Sequence, residues 1–432
     1  MKNPAPLQSP ASGRGRRDFL KKSAAGAGLL FANFRFADLF VDDMQAGPGH
    51  TSPGLGKTGA APPPGGYGNM FIMESAPGPE TVINGKKVLY FAGTGYYALH
   101  GHPEVIQAGI DAYRKYGTHS ATTRSGFGNN PVLLEVERKV ADYFGTEDAV
   151  YFVSGYFDNL ILAQGLTNDY DVIFIDETSH FSIRDGVATA RKPVFTFRHR
   201  DPEDLAVQLK KNLKPGERPL VMSDGVFPTF GVIAPVPEYV KVLEPYGGLI
   251  ALDDSHGVGV LGPNGRGTCD HYGLRSDRLY FAGTLSKAFG GHGGIIPGSK
   301  KLIQYIRQNL GVYSGSSPTP TPVAASSAKG LDLVKGHPEW REKLRRNTAM
   351  AKNGLKKLGF DVNNNPMPIV TWMLKSADEM KKVQKELMDR GIAVAYLKYV
   401  GAPAGGVMRA TIFSAHTEAQ IQRLLDELKK VV

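Results

Sequence analysis

The sequence predicts an α/β protein built on a mostly parallel seven-stranded sheet, with a smaller α+β domain at its C-terminal end. After Val82, short apolar runs alternate with helical stretches, the pattern of a sheet covered on both faces. From about Pro322 that pattern gives way to long helices with three further strands. A chain of 432 residues, 41% hydrophobic and 21% charged, is long enough for two such lobes.

Residues 1–46 read as a basic N-terminal segment. Arg16 and Arg17 open RRDFLKK, which is followed by the apolar AAGAGLLFANF. This order resembles a twin-arginine signal and predicts export, with a cytoplasmic location if the signal is not used. The apolar run is short and Arg35 interrupts it, so no stable membrane span is expected. Residues 47–68 form a Gly/Pro-rich linker. Its GLGKT is not a P-loop: Thr51 stands where the first glycine is needed, and no strand precedes it.

Residues 69–110 are expected to form an N-terminal arm joining the small lobe, residues 111–320 the large domain, and residues 321–432 the small domain. The strand runs of the large domain are AVYFVS, DVIFID, PVFTFRH, PLVMSDGV, GLIALDD, LYFAGT and GGIIPG. Among the helices, PEVIQAGIDAYRKYG has Val105, Ile106, Ile110 and Tyr113 at helical spacing, and DLAVQLKKNL has Leu205, Val207 and Leu209 near one side. The small domain carries a charged helix from Glu339 to Leu358 and the strands IVTWML, IAVAYL and VMRATIF.

Composition excludes several function classes. The single cysteine, Cys269, rules out an intrachain disulfide framework and a Cys-rich zinc site; no metal site is expected, and Cys269 reads as packing. Net charge is +10, of which residues 1–45 supply +3, seven basic residues against four acids, leaving +7 for the rest. That excess suits anionic partners. With no aromatic RNA-binding signature and no long basic stripe, a nucleic acid is not expected and an acidic small molecule is.

In parallel sheets, ligands bind beyond the carboxyl ends of the strands. At those ends stand SGYFDN, a turn into a helix suited to a phosphate; His180, able to stack on a ring; Asp253, Asp254 and His256; and Thr284, Ser286 and Lys287 in GTLSKAFGGHGG. A lysine amine can hold pyridoxal 5'-phosphate as a Schiff base, with Thr284 and Ser286 bonding its phosphate. Singly, each has a plainer reading: a surface lysine, a helix-entry histidine, a turn-capping aspartate. Together they supply a phosphate cradle, a ring stacker, a buried carboxylate and an amine, the four parts of a pyridoxal phosphate site.

The stretches FGTEDAVYFVSGYFDN, DETSHFSIRDGV, LDDSHGVGVLGPNGRG, AGTLSKAFGG and RATIFSAHT resemble those of the α-oxoamine synthases, which are fold-type I pyridoxal phosphate-dependent transferases. The resemblance implies that Lys287 forms the internal aldimine and moves the substrate's α-proton. Asp253 would pair with the pyridine nitrogen, His256 with the phenolic oxygen, and His180 would stack on the ring. Gly155, Tyr156 and Thr284 would hold the phosphate, and Ser314 and Ser316 would reach the phosphate of a neighbouring subunit, implying a homodimer with a shared active site. Arg409 would grip the amino acid's carboxylate through its planar fork.

The chain departs from the family at four points. Pro228, in GVFPTFG, replaces a serine that contacts the cofactor, and Gly95, in TGYYA, replaces an asparagine near the substrate. RSGFGNNPVLLE is about two residues shorter than the family pattern and lacks its histidine. An exported enzyme would also have little access to acyl-CoA. The resemblance implies an acyltransferase that condenses glycine, alanine or serine with an acyl-CoA. The alternative is an aminotransferase or aldolase-type lyase that needs no acyl-CoA. A non-catalytic binding protein would not need Lys287, Asp253 and His256 together.

Overall fold

The computed structural model describes residues 70–432, so the candidate export signal and the Gly/Pro-rich linker lie outside the described residues. The first strands, β1 (Glu80–Ile83) and β2 (Lys86–Tyr90), form an antiparallel hairpin. Asn84 and Gly85 close it at φ of 50° and 73°, a two-residue turn whose twist suits paired strands. This hairpin is not among the strands expected above, because Lys86 and Lys87 break its apolar run.

The central sheet contains β3 (Asp148–Phe152), β4 (Val172–Asp176), β5 (Val194–Phe197) and β6 (Pro219–Asp224). A short hairpin, β7 (Val226–Phe227) and β8 (Val232–Ile233), precedes β9 (Leu249–Asp253), β10 (Leu279–Thr284) and β11 (Gly294–Gly298). The seven strands run in the order β3-β11-β10-β9-β6-β4-β5, and only β11 is antiparallel to its neighbours. They coincide with the seven runs read from the sequence. Alternation sends Ala149 and Tyr151 of β3 into one core and Val150 and Phe152 into another on the opposite face, as a sheet covered on both sides requires.

The small lobe is built on β12 (Ile369–Trp372), β14 (Ala395–Leu397) and β15 (Val407–Thr411), in the order β12-β15-β14. The run IAVAYL, read as one strand, is divided: β13 (Ile392–Ala393) pairs with β2, and β14 pairs with β15. Behind these sheets a core gathers Phe91, Trp372, Ile392, Met408 and Leu428.

Two helices turn differently from expectation. In Pro103–Tyr116, Val105 and Ala112 are buried, while Ile106, Ile110 and Tyr113 face solvent. The inward side meets the helix Thr321–Gly336 so closely that a Cβ on Gly109 would lie 2.8 Å from Ser326 Oγ; small residues hold that side. In Pro202–Asn212, Leu205 and Leu209 are buried one turn apart, and Val207, two residues from each, points away. No helix among the described residues is long and apolar enough to cross a membrane.

His416 joins the arm to the small lobe. Nδ1 accepts from Phe413 N at 2.9 Å, Nε2 donates to Tyr90 O at 3.1 Å, and the ring stacks between Phe91 and Phe413. Burial pushes the imidazole down to about 4 against a modest pull upward from the Tyr90 carbonyl. The unfolded chain binds a proton below about pH 6.5 while the folded one does not until near pH 4, so this site's stability is present above pH 6.5 and drains away as pH falls. Urea unfolding at pH 7.5 and 4.5 is expected to reveal a loss of about 3 kcal/mol from this histidine, which His416→Gln removes.

Candidate active site

The carboxyl edge of the sheet is organised by where its strands stop. In register, Asp224 ends β6 beside Asp253, which ends β9 beside Ala282 of β10. After β3 the chain makes a single 3₁₀ turn, Gly155–Phe157, capped by Ser154 Oγ accepting from Tyr156 N, and enters the helix Asp158–Gly165. After β10, Thr284 leads into the loop that carries Lys287. These ends enclose a cavity of about 200 Å³ lined by Gly155, Tyr156, His180, Asp253, His256, Thr284, Ser286 and Lys287, together with Ser154, Ser182, Asp224 and Ser255.

Asp253 is buried. Burial alone would raise its carboxyl, but Lys287, His180 and hydrogen bonds from Ser255 and Asn159 outweigh that and hold it below the usual carboxylate range. Asn159 Nδ2 donates to Oδ2 at 2.8 Å, Ser182 Oγ to the same oxygen at 3.2 Å, and Ser255 N to Oδ1 at 3.1 Å. The neighbouring acids go the other way: burial and then the Asp253 charge push Asp158 and Asp224 well above the carboxylate range, and burial lifts Asp254 to about 7. Asp254 is spent on Thr268, accepting from its N and Oγ1. Lys287 is partly exposed along its length, yet burial of its amine lowers its basicity, against the opposing pull of Asp253.

The histidines are held neutral by burial. His256 sits well below its ordinary range, with Nδ1 2.7 Å from Tyr96 Oη. His180 caps the helix Phe181–Ala188, its Nδ1 accepting from Ser182 N, its N–H donating to Asp224 and its Nε2 lying 2.7 Å from Tyr399 Oη. The hydroxyls of Thr284 and Ser286 bond each other at 2.9 Å and tie Gly293 to the loop.

Of the remaining predicted residues, Arg409 lies on β15, 9% exposed, with Nε and Nη2 buried and without partners. Gly95 does not line the cavity; it packs on His100, which reaches Ser286 O, and the adjacent Tyr96 makes the contact to His256. Ser314 and Ser316 are also outside it, their hydroxyls turned back to Leu310 O and Val312 O of their own segment. Thr229 Oγ1 bonds Val400 O.

The residues present fit pyridoxal phosphate. A Cβ on Gly155 would lie 2.9 Å from Thr284 Cβ, so only glycine lets the turn close against Thr284 and leave a cradle of anion size. Asp253 supplies a buried anion, and Arg409 offers unspent donors for a carboxylate.

A family model for aminotransferase class I and II matches residues 89–428. The chain belongs to that family. Within it, the chain is 33% identical to 8-amino-7-oxononanoate synthase of Alkaliphilus metalliredigens, covering 85% of this chain and 93% of that protein. It is equally 33% identical to 8-amino-7-oxononanoate synthase 1 of Bacillus subtilis, over 83% and 91% of the two chains. Among solved structures, a serine palmitoyltransferase with its pyridoxal phosphate internal aldimine superposes with a TM-score of 0.80 at 31% identity, covering 84% of this chain and 92% of the other. The Sphingomonas wittichii serine palmitoyltransferase gives 0.79 at 28% identity, over 84% and 91%. These relatives place the chain among the α-oxoamine synthases, pyridoxal phosphate-dependent enzymes of fold-type I.

Sequence reasoning did not single out Asn159, Tyr96, Asp224 or Tyr399. Asp224 ends an apolar run just as Asp253 does, and the same rule finds it. Asn159 follows the SGYF turn by two positions, at the start of a helix whose dipole favours polar groups. No local signal marks Tyr96 or Tyr399, because their partners are distant in the chain.

Asn159→Ala removes a donor to a buried charge, an interaction worth about 1.5–3 kcal/mol. Titrating the apoprotein with pyridoxal phosphate is expected to show affinity at least tenfold weaker than wild type; unchanged affinity contradicts the role given to this contact.

Proposed function

We propose that this α-oxoamine synthase condenses a small amino acid (glycine, alanine or serine) with an acyl thioester, using Lys287 as the reactive amine. The observation that carries the reading is Asp253: a carboxylate kept ionised in a buried site by dedicated donors, beside a lysine of lowered basicity. When bound, pyridoxal phosphate supplies an electron sink for carbanion chemistry. Asp253, buried and ionised, is the residue that would pair with the pyridine nitrogen and favour its protonated form. Lys287, whose amine burial makes less basic than an exposed lysine, would be the residue to bond the cofactor's aldehyde and the base that takes the substrate's α-proton. His180, neutral and fixed through both ring nitrogens, offers a flat face, and His256, oriented by Tyr96, offers a hydrogen bond to the phenolic oxygen. Arg409 takes the substrate carboxylate.

The names of the relatives support the acyl donor. The 8-amino-7-oxononanoate synthases and serine palmitoyltransferases are synthases or acyl transferases by name. Glycine, L-alanine and L-serine, each offered with acetyl-CoA and with longer acyl-CoAs, are expected to give free thiol with one pairing clearly preferred. Lys287→Ala is expected to lower that rate by about 10³-fold or more. Amino-group transfer to a keto acid in the absence of thioester overturns the reading.

We further propose that the chain works as a homodimer. Ile106, Ile110 and Tyr113 form an exposed apolar stripe, and Phe127 is 95% exposed in the loop beyond it. Such a surface is costly in a monomer and is readily covered by a second copy. Light scattering is expected to give twice the chain mass, and Ile110→Glu to shift the protein toward monomer with loss of activity.

A further inference from the structure

The strand that carries Arg409 is held at both edges by one element of the large domain. In β15, Arg409 is registered opposite Thr371 of β12 on one side and Ala395 of β14 on the other. Its neighbours Met408 and Ala410 face the small-lobe core, so alternation turns the guanidinium the other way, where its charge acts on Lys287 and His256. The β7–β8 hairpin reaches both flanks. Thr229 Oγ1 donates to Val400 O at 2.5 Å, in the 398–406 loop that follows β14. Toward β12, Gly231 comes so close to Ile369 that a Cβ would lie 2.8 Å from that side chain, and its φ of 63° also favours glycine. At its base the hairpin springs from the floor of the site: Gly225 N donates to Asp253 O at 2.8 Å, and Ala234 N closes back on Gly225 O at 2.9 Å.

The contact on the β12 side is built around Lys352, a buried residue of the helix Pro338–Lys357. An ammonium has three N–H groups, and this one meets Asn363 Oδ1 at 2.8 Å, Asn365 O at 2.6 Å and Asn365 Oδ1 at 3.0 Å. All of these acceptors are neutral amide oxygens. Burial, and then the charge of Lys356, push the amine down to about 8, so the cation is kept there at a cost. What it supplies is direction. A side-chain amide carries an oxygen on one branch and an NH2 on the other, and Lys352 can only donate, so it draws both oxygens to itself and turns both NH2 groups to the hairpin. Asn363 Nδ2 then donates to Phe230 O at 3.0 Å and Asn365 Nδ2 to Gly231 O at 2.7 Å. Asn365 Oδ1 also accepts from Met367 N, just before Ile369 opens β12. An apolar side chain of the same length would fill the space and leave the amides free to turn.

We propose that Lys352 is a positioning residue: through Asn363 and Asn365 it clasps the β7–β8 hairpin to β12, and so fixes how far the Arg409 guanidinium stands from the Asp253 floor. This rests on the function proposed above and deepens it. Recognition of the substrate carboxylate then depends on an ammonium that lies outside the cavity.

Lys352→Met keeps the length of the side chain and removes the donors. In the pyridoxal phosphate-loaded protein, L-alanine and L-alaninamide are titrated separately and the visible absorbance change is followed; the apoprotein is titrated with pyridoxal phosphate alone. The expected result is L-alanine binding about fivefold weaker in the variant, with L-alaninamide and pyridoxal phosphate each within about twofold of wild type. Asn363→Ala, which removes one of the hairpin contacts and leaves Lys352 its Asn365 acceptors, is expected to give a smaller loss of the same selectivity, and supplies the same test if Lys352→Met does not fold. Equal losses for the two ligands, or a matching loss of pyridoxal phosphate affinity, would mean that the clasp only supports the fold and would overturn the positioning role; so would unchanged binding of L-alanine. Should the loaded wild type give no absorbance change with glycine, L-alanine or L-serine, the proposed function fails and takes this role with it, an outcome distinct from a failure confined to the variants.

Discussion

A single buried charge organises this active site. An ionised carboxylate out of water costs several kcal/mol unless charges and hydrogen bonds compensate it, and Asp253 is compensated from three separate segments. The helix after β3 must present an amide at its second residue, the helix at Phe181 must present a hydroxyl at its second, and the chain leaving β9 must turn so that Ser255 N points back. Asp158 and Asp224 have no comparable set of donors, and burial together with the Asp253 charge pushes both well above the carboxylate range. The register of β6, β9 and β10 makes this possible by ending those strands at one level.

Much of this was legible from sequence for a physical reason. Buried parallel strands must be apolar along their length, so each of the seven runs announces itself locally, and ligand chemistry collects where the runs end. Lys287, Asp253, His256, His180 and the SGYFDN turn could all be read from the three or four residues beyond a strand. The rest depends on distant pairing. The β1–β2 hairpin is marked only by Asn84-Gly85, and the division of Ile392–Leu397 between two sheets is decided by β2 and β15, not by anything within those six residues. Periodicity located the helix Pro103–Tyr116 but could not tell which side faces inward, because a close helix–helix contact selects small residues and leaves the larger apolar ones outside.

The departures from the family pattern acquire a common setting in three dimensions. The GVFPTFG segment directs Thr229 to the backbone of the 398–406 loop, and Gly95 lets the chain fold onto His100 while its neighbour Tyr96 orients His256. Thr229, beside Pro228, thus ties the large domain to the hairpin of the small lobe, and Gly95 sits next to the residue that orients His256. The residues lining the floor are untouched by these two changes.

The pairing of β2 with β13 has a consequence for how the molecule comes into being. Leu89 finds its parallel partner Ile392 about three hundred residues later in the chain, so the N-terminal hairpin has no sheet to join until nearly the whole polypeptide has been synthesised. Closing so long a loop is entropically slow. The large sheet can assemble from contacts among residues 148–298, whereas the arm must wait. Tyr90, at the end of β2, is also held by His416 through its carbonyl, so the seam between the arm and the small lobe is completed by the last part of the chain to be made.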